Sequence, residues 1–472
     1  MSLPDATLRN RFLRDYVAAL ESGDAAFFAG AGLSRDSGYV DWKGLLREFA
    51  EELGLDIDIE YDLPMVAQYF IDESNQQRGR LNQRLREQFD KAAPVTAVYS
   101  ALTRLPIKSI WTTNYDQGIE RAYENQHLVA DVKSCGRQST WVTSKPDASV
   151  AIYKMHGDIG DPDNLVLSRD DYDRYAYKYS YILDSLKAQL SQQTFLFSGF
   201  SFTDPNLDHV LAQVRSNYGD NSRTHWVLMK RHQDGMDAKR QELWVRTMKR
   251  YGLETILLDD YDEIGALLVE ADQRLRRRHV FVSGSATTPD PFGQDRLDDF
   301  GRKVGQRIIR SGRNLVSGFG LGVGASVLSG AAEEVYRVQS DPAQRLRLFP
   351  FPQPSPGQPR DKQMDEKWRQ GMLRTAGFAV FISGNRRSSD DSPELAAGVL
   401  REFEIAIANG AYPLPVGATG WMASELHRTV GSRFEELLPG APRESFNLLA
   451  DTGAENDALL GALDTLIESL SP

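Results

Sequence analysis

The residues of this sequence best suited to chemistry fall in four short clusters. Asn114 and Asp116 stand in Trp111-Thr112-Thr113-Asn114-Tyr115-Asp116, and His156 stands in Met155-His156-Gly157-Asp158. Two further clusters are built around glycine. One is Gly30-Ala31-Gly32-Leu33-Ser34, continuing to Asp41-Trp42; the other is Gly199-Phe200-Ser201-Phe202-Thr203-Asp204-Pro205-Asn206. An imidazole titrates near neutrality and suits a general base. An amide has donors and an acceptor and suits the placing of a polar substrate. Small residues let backbone N–H groups approach a pyrophosphate at the start of a helix. Taken singly, each cluster also has an ordinary account: an Asx turn, a structural histidine, or a helix cap at Asp204.

Each cluster follows a short apolar run, so strands must position them. Such runs occur at Ala25 to Ala29, Ile107 to Thr112, Val150 to Met155, Thr194 to Ser198, His225 to Met229 and Leu253 to Leu258. Helical patterns lie between and around them, at Leu8 to Leu20, Leu45 to Leu53, Asn82 to Ala92, Tyr181 to Gln192 and Ile264 to Leu275. Strands alternating with helices predict a mostly parallel sheet covered on both faces. Ligands of such sheets bind at the carboxyl ends of the strands, where all four clusters fall.

A second alternating series begins near residue 279. Strands are predicted at Val280 to Val282, Asn314 to Val316, Phe378 to Ile382 and Tyr412 to Val416, with helices over Arg296 to Ser311 and Glu394 to Asn409. The proline-rich segment Phe349 to Pro359 reads as a loop or edge. The fold class is therefore α/β, with two doubly wound, Rossmann-like domains at 1–277 and 278–472. The basic stretch Arg274 to Arg278 between them reads as a helix end or interdomain joint.

Composition narrows the function classes. The chain has 472 residues and a formal charge of −11, which argues against a nucleic-acid-binding surface over the whole molecule. It has one cysteine, Cys135, so neither a disulfide framework nor a multi-cysteine zinc site is expected, and no metal is assigned. The N-terminal residues hold several charges and no apolar h-region, and no apolar run reaches the ~18 residues of a membrane span. A cytoplasmic protein without membrane association is expected.

Taken in order, the four clusters resemble the sirtuin family over roughly residues 8 to 270. Gly30-Ala31-Gly32-Leu33-Ser34 is similar to its opening NAD loop, Asn114 and Asp116 to its Asn-x-Asp motif, His156-Gly157 to its catalytic histidine and following glycine, and Gly199 and Ser201 to its later Gly-x-Ser loop. The resemblance implies NAD as substrate, with Gly30, Ala31, Gly32, Ser34, Asp41, Trp42, Gly199, Ser201 and Asp204 as binding residues. It implies that Asn114 positions ribose and water, that His156 is the base, and that Asp116 orients the nicotinamide amide or stabilises developing charge. Protein-deacylating sirtuins carry a four-cysteine zinc module, which one cysteine cannot build. Hydrolysis of NAD itself is therefore expected, with protein deacylation and non-catalytic nucleotide sensing as the alternatives. Tyr172, Tyr175, Tyr177, Tyr179 and Tyr181 read as a helical cover over the site, or simply as an amphipathic helix.

The second half resembles the SLOG group. Ser283-Gly284-Ser285, the loop Ser317-Gly318-Phe319-Gly320-Leu321-Gly322 and the segment Gly398-Val399-Leu400-Arg401-Glu402 are similar to its motifs, while Ser383-Gly384-Asn385 stands where its enzymes have Pro-Gly-Gly. That departure suits a pocket that holds a nucleotide without cleaving it. Candidate contacts are Gly284, Ser285, Gly318, Gly320, Gly322, Arg369, Arg386 and Glu402, the arginines gripping phosphate in a forked geometry. For Arg369 and Arg386 a solvated surface position is an equal account. The fusion of a zinc-less sirtuin-like domain to a SLOG domain resembles the effector family of the bacterial Thoeris antiphage system. This implies activation by a cyclic ADP-ribose isomer made by a TIR-domain protein, depletion of cellular NAD, and a homo-oligomer, tetrameric or larger.

Overall fold

Apolar runs of four to seven residues become central strands where both sheet faces are covered, because every side chain of a parallel strand must then be buried. The computed structural model describes residues 3–91, 93–200, 202, 204–219, 223–233, 235–320, 322–351, 361–388 and 390–471. Two compact units, Met1–Asp272 and Gln273–Pro472, divide the chain, and the boundary falls inside the helix Asp262–Arg276.

Among the described residues the first unit holds seven strands: β1 (Ala25–Ala29), β2 (Ser109–Thr112), β3 (Ala130–Ser134), β4 (Val150–Lys154), β5 (Thr194–Ser198), β6 (His225–Lys230) and β7 (Leu253–Leu258). They form one sheet in the order β3-β4-β2-β1-β5-β6-β7, with every pairing parallel. β1 and β2 are buried along their whole length. One core cluster includes Phe28, Trp111, Phe197 and Leu186; another, under the helices Trp42–Glu52 and Leu63–Glu73, includes Phe49, Phe70, Leu85 and Tyr115. β3 has no apolar run to announce it. It is an edge strand whose residues are buried or half-buried, and it carries the ion pair of Lys133 with Asp131 at 2.8 Å.

The second unit has β8 (His279–Ser285), β9 (Asn314–Ser317), β10 (Leu346–Leu348), β11 (Phe378–Ser383), β12 (Asn385–Arg387), β13 (Pro393–Leu395) and β14 (Tyr412–Val416). Five of these make a parallel sheet in the order β10-β9-β8-β11-β14, and β12 pairs antiparallel with β13. The helix expected from Glu394 begins only at Ala397, because Pro393 to Leu395 pair with β12 and Ser388 N–H donates to Ser392 C=O to close the hairpin. Most of the proline-rich segment, 352–360, lies outside the described residues.

Candidate active site

Parallel register brings the four clusters into one row. Thr112 of β2 is matched with Lys154 of β4, so Asn114 and His156 each stand two residues past a registered pair on neighbouring strands. Ala29 of β1 is matched with both Thr112 and Ser198, so Gly30 and Gly199 also stand at adjoining strand ends. Neighbouring strands lie about 4.8 Å apart, and the sites therefore line the crest of β4-β2-β1-β5.

Two glycine turns interlock at the point where strand order reverses. A Cβ on Gly30 would lie 2.1 Å from the Gly199 carbonyl oxygen, and Gly199 itself has φ +68°. Gly30 N–H donates to Ser198 C=O and Gly32 N–H to Gly199 C=O, both at 2.9 Å. These two amides were expected to face a pyrophosphate; instead they join the turns. The glycines supply the close approach of the two turns. Ala31 begins the short helix Ala31–Arg35 and is exposed. Ser201 lies outside the described residues.

Asn114 is held from below. Its Nδ2 donates to Gly30 C=O at 3.0 Å and to Ser34 Oγ at 2.7 Å, while its backbone N–H donates to Thr112 Oγ1. Ser34 Oγ in turn donates to Asp116 Oδ2 at 2.5 Å, and Asp116 Oδ1 accepts from Gly118 N–H. Ser34 and Asp116, expected to touch NAD, thus form the chain that sets the amide's orientation. Its outcome is that Asn114 Oδ1 is buried with no hydrogen-bond partner among the described residues.

His156 is buried, with Nε2 3.0 Å from Asp204 Oδ2. Asp204 caps the helix Pro205–Tyr218 through Oδ1, which accepts from Asn206 N–H and Leu207 N–H. Burial raises the Asp204 carboxyl, but the adjoining His156 and the capping amides outweigh it and hold the group below the usual carboxylate range. Tyr172 OH donates to Asp204 Oδ2 at 3.4 Å, and its ring meets those of His156 and Trp42 edge to face. Tyr175 and Tyr179 are buried beside it, whereas Tyr177 is exposed, so the tyrosine-rich stretch covers the imidazole with one face only. Asp41 caps the helix Trp42–Glu52, its Oδ1 accepting from Gly44 N–H.

Sequence reasoning missed Lys154, a fully buried cation that meets the turns following β2 and β4. The signal was legible: a lysine closing a run otherwise apolar enough to be covered on both faces. Cys135 is buried, and burial pushes its thiol up to about 12, which leaves it inert.

In the second unit, Ser283 Oγ donates to Glu402 Oε2 at 2.6 Å, and Arg369 Nε lies 3.5 Å from Glu402 Oε1. Gly320 passes so close to β8 that a Cβ would lie 2.0 Å from Gly284 C=O. A Cβ on Gly322 would similarly meet Ala286 C=O, and one on Gly318 would meet Phe351. Ser285 Oγ donates to Asn385 C=O, and the buried Asn385 amide ties down Thr287 and Thr288. Arg369, Glu402, Ser283 and the glycine loop thus gather where β8 ends, whereas Arg386 pairs with Glu394 across the β12–β13 ladder at 2.7 Å. Leu321 lies outside the described residues. Among the described residues, no group of three or more His, Cys, Asp or Glu side chains could hold a metal ion, and no helix is long and apolar enough to cross a membrane.

The Sir2- and TIR-associating SLOG family matches residues 263–470, and a SIR2-like domain matches residues 108–256. Over 97% of this chain and 97% of its own length, the NAD(+) hydrolase ThsA of Bacillus cereus (strain MSX-D12) is 38% identical. The NAD(+) hydrolase ThsA of Acinetobacter baumannii (strain 532279) is 35% identical over 96% of this chain and 97% of its own. Defense-associated sirtuin 2 of Bacillus subtilis is 26% identical over 43% of this chain and 20% of its own.

Proposed function

This chain belongs to the ThsA family of NAD(+) hydrolases, and from that premise we propose that its first unit cleaves NAD between nicotinamide and ribose in antiphage defence, under the control of a nucleotide held by the second. The observation that supports the reading is the β2–β4 register, by which Asn114 and His156 each stand two residues past the paired Thr112 and Lys154. In the proposed reaction a water oxygen bonds to the ribose carbon as the bond to the nicotinamide nitrogen breaks. The bonding pair neutralises the pyridinium ring, so the leaving group needs no acid. Asn114 Oδ1 accepts from the water or a ribose hydroxyl and fixes it. With Nε2 of His156 turned to Asp204, Nδ1 takes the proton released by the attacking water or hydroxyl. Asp204 stabilises the imidazolium that forms. The adenosine half lies along the Gly30–Ser34 and Gly199 turns, and the products are nicotinamide and ADP-ribose.

In the second unit, Arg369, Glu402, Ser283 and the Gly318–Gly322 loop hold a cyclic ADP-ribose isomer, the signal of a TIR-domain protein. A ligand can switch the enzyme only by preferring the active arrangement, and a shift from about 1:99 to 99:1 takes ~5.5 kcal/mol of differential affinity. A pyrophosphate meeting an arginine and a glycine loop is of the right class to supply it, and rearrangement within a homo-oligomer transmits it. The test is NAD cleavage by pure protein with and without such isomers. Nicotinamide and ADP-ribose should appear mainly with the isomer, and Asn114→Ala or His156→Ala should abolish both while leaving the fold intact. A requirement for acyl-peptide before nicotinamide release would replace hydrolysis with deacylation.

A further inference from the structure

A hydrophobic side chain would ordinarily fill the last position of a central parallel strand. Lys154 fills it in β4, with its side chain fully buried. Nζ donates to the backbone carbonyls of Tyr115 at 3.2 Å and Asp116 at 2.5 Å, the two residues that follow Asn114. It also meets Asp158 Oδ2 at 2.5 Å, two residues past His156, and Glu120 Oε1 at 3.1 Å. Asp158 Oδ1 closes the tie from the other side, accepting from Gln117 Nε2 at 2.9 Å and Gly160 N–H at 2.8 Å. Ile159 N–H adds a bond to Tyr115 C=O. One ammonium therefore touches both turns of the proposed site and neither of the glycine turns.

Burial acts to discharge an isolated ammonium, yet Glu120, Asp158 and Asp116 together outweigh it and keep Lys154 charged. Asp158 is raised by burial but lowered further by Lys154 and its amide donors, so it stays ionised. A buried pair of this kind brings little net stability over apolar packing; specifying one arrangement is its better-supported role.

We propose that Lys154 is a positioning residue for NAD cleavage: its buried ammonium locks the Asn114–Asp116 turn to the His156–Asp158 turn and so fixes the amide relative to the imidazole. The inference rests on the reading of Asn114 and His156 given above. Because the adenosine half is assigned to the β1 and β5 turns, loss of the lock should act on turnover rather than on NAD binding.

The experiment compares full-length Lys154→Met, Asp158→Asn and Glu120→Gln with Asn114→Ala and His156→Ala, measuring kcat and KM for NAD at saturating activator, with circular dichroism for folding. A misplacement of about 1 Å costs about a hundredfold. Lys154→Met should lose about that much kcat, with KM within about threefold of the parent. Asp158→Asn, which keeps the shape and weakens the tie, should lose about tenfold by the same argument. Glu120→Gln leaves Lys154 bound to both turns and should stay within about threefold. Full kcat in folded Lys154→Met, or a loss confined to KM, overturns the proposal; if Lys154→Met does not fold, the same criteria apply to Asp158→Asn. A loss in Glu120→Gln as deep as in Asp158→Asn would mark general charge balance instead of the lock and also overturn it. Full activity in Asn114→Ala or His156→Ala overturns the reading of the site itself, and is told apart because it appears in those two variants.

Discussion

His156 and Asp204 meet across the crest of the first sheet, Nε2 to Oδ2 at 3.0 Å, although one follows β4 and the other follows β5. The two oxygens of Asp204 divide their work. Oδ1 caps the helix Pro205–Tyr218 and Oδ2 faces the imidazole, so the helix start and the imidazole are fixed by the same group. A carboxylate 3.0 Å from one ring nitrogen favours the tautomer protonated at that nitrogen.

Replacing that carboxylate separates the two tasks. Asn is as good a cap as Asp, so Asp204→Asn should cost about 1 kcal/mol or less in stability. It removes the charge facing His156, and kcat should fall by about 10²–10⁴-fold, the usual worth of a positioned base. Steady-state nicotinamide release together with a denaturant melt reads both; wild-type kcat would refute the pairing's role.

The interlock of the two glycine turns is equally open to test. Gly30→Ala puts a methyl 2.1 Å from a backbone oxygen, and backbone shifts of this sort cost about 1–3 kcal/mol. Activity should be lost as the Gly199 turn moves. Gly79→Ala is the control: it opens the helix Gly79–Phe89 with nothing within 4 Å, and should leave stability unchanged or slightly raised.

Stability should depend on pH through buried neutral histidines. Burial, then the charge of Arg223, lowers His225 to about 3, and its Nδ1 accepts from Phe195 N–H at 3.2 Å. Burial, then Arg347, likewise lowers His279 in the second unit to about 3. Each folded value lies below the unfolded one, so the unfolded chain binds the extra proton. The stability is full above the unfolded value of about 6.5 and is lost as pH falls toward about 3, at up to ~1.4 kcal/mol per pH unit for each group. Urea melts at descending pH should show this slope. His225→Asn, whose amide oxygen can take the same N–H, should flatten it for the first unit; an unchanged slope would refute the assignment.

In the second unit the two candidate arginines should differ. Arg369 is largely buried against Glu402, while Arg386 is more than half exposed and paired with Glu394. A charge-assisted hydrogen bond is worth about 1.5–3 kcal/mol, so Arg369→Ala should raise the half-activating concentration of the proposed cyclic ADP-ribose isomer at least about tenfold. Arg386→Ala should shift it less. Calorimetric titration of both variants checks the order, and equal losses would place Arg386 at the ligand as well.

Much of this protein could be read from local pattern. β1, β5, β7 and β14 stand where their apolar runs predict them, because strands of a sheet covered on both faces are mostly apolar. The glycine clusters, Asn114 and His156 were legible for a similar reason: strand ends in such sheets are where polar groups can gather. Only the tertiary structure decided that β4 inserts between β2 and β3, that the Gly30 and Gly32 amides join Ser198 and Gly199, that Asp204 faces His156, and that Lys154 spans two turns. These follow from strand order and register, which bring together residues far apart in the chain. Hydrophobic period reports which face of an element is buried; it carries no record of which other element lies against it, and a buried charge finds its partners only there.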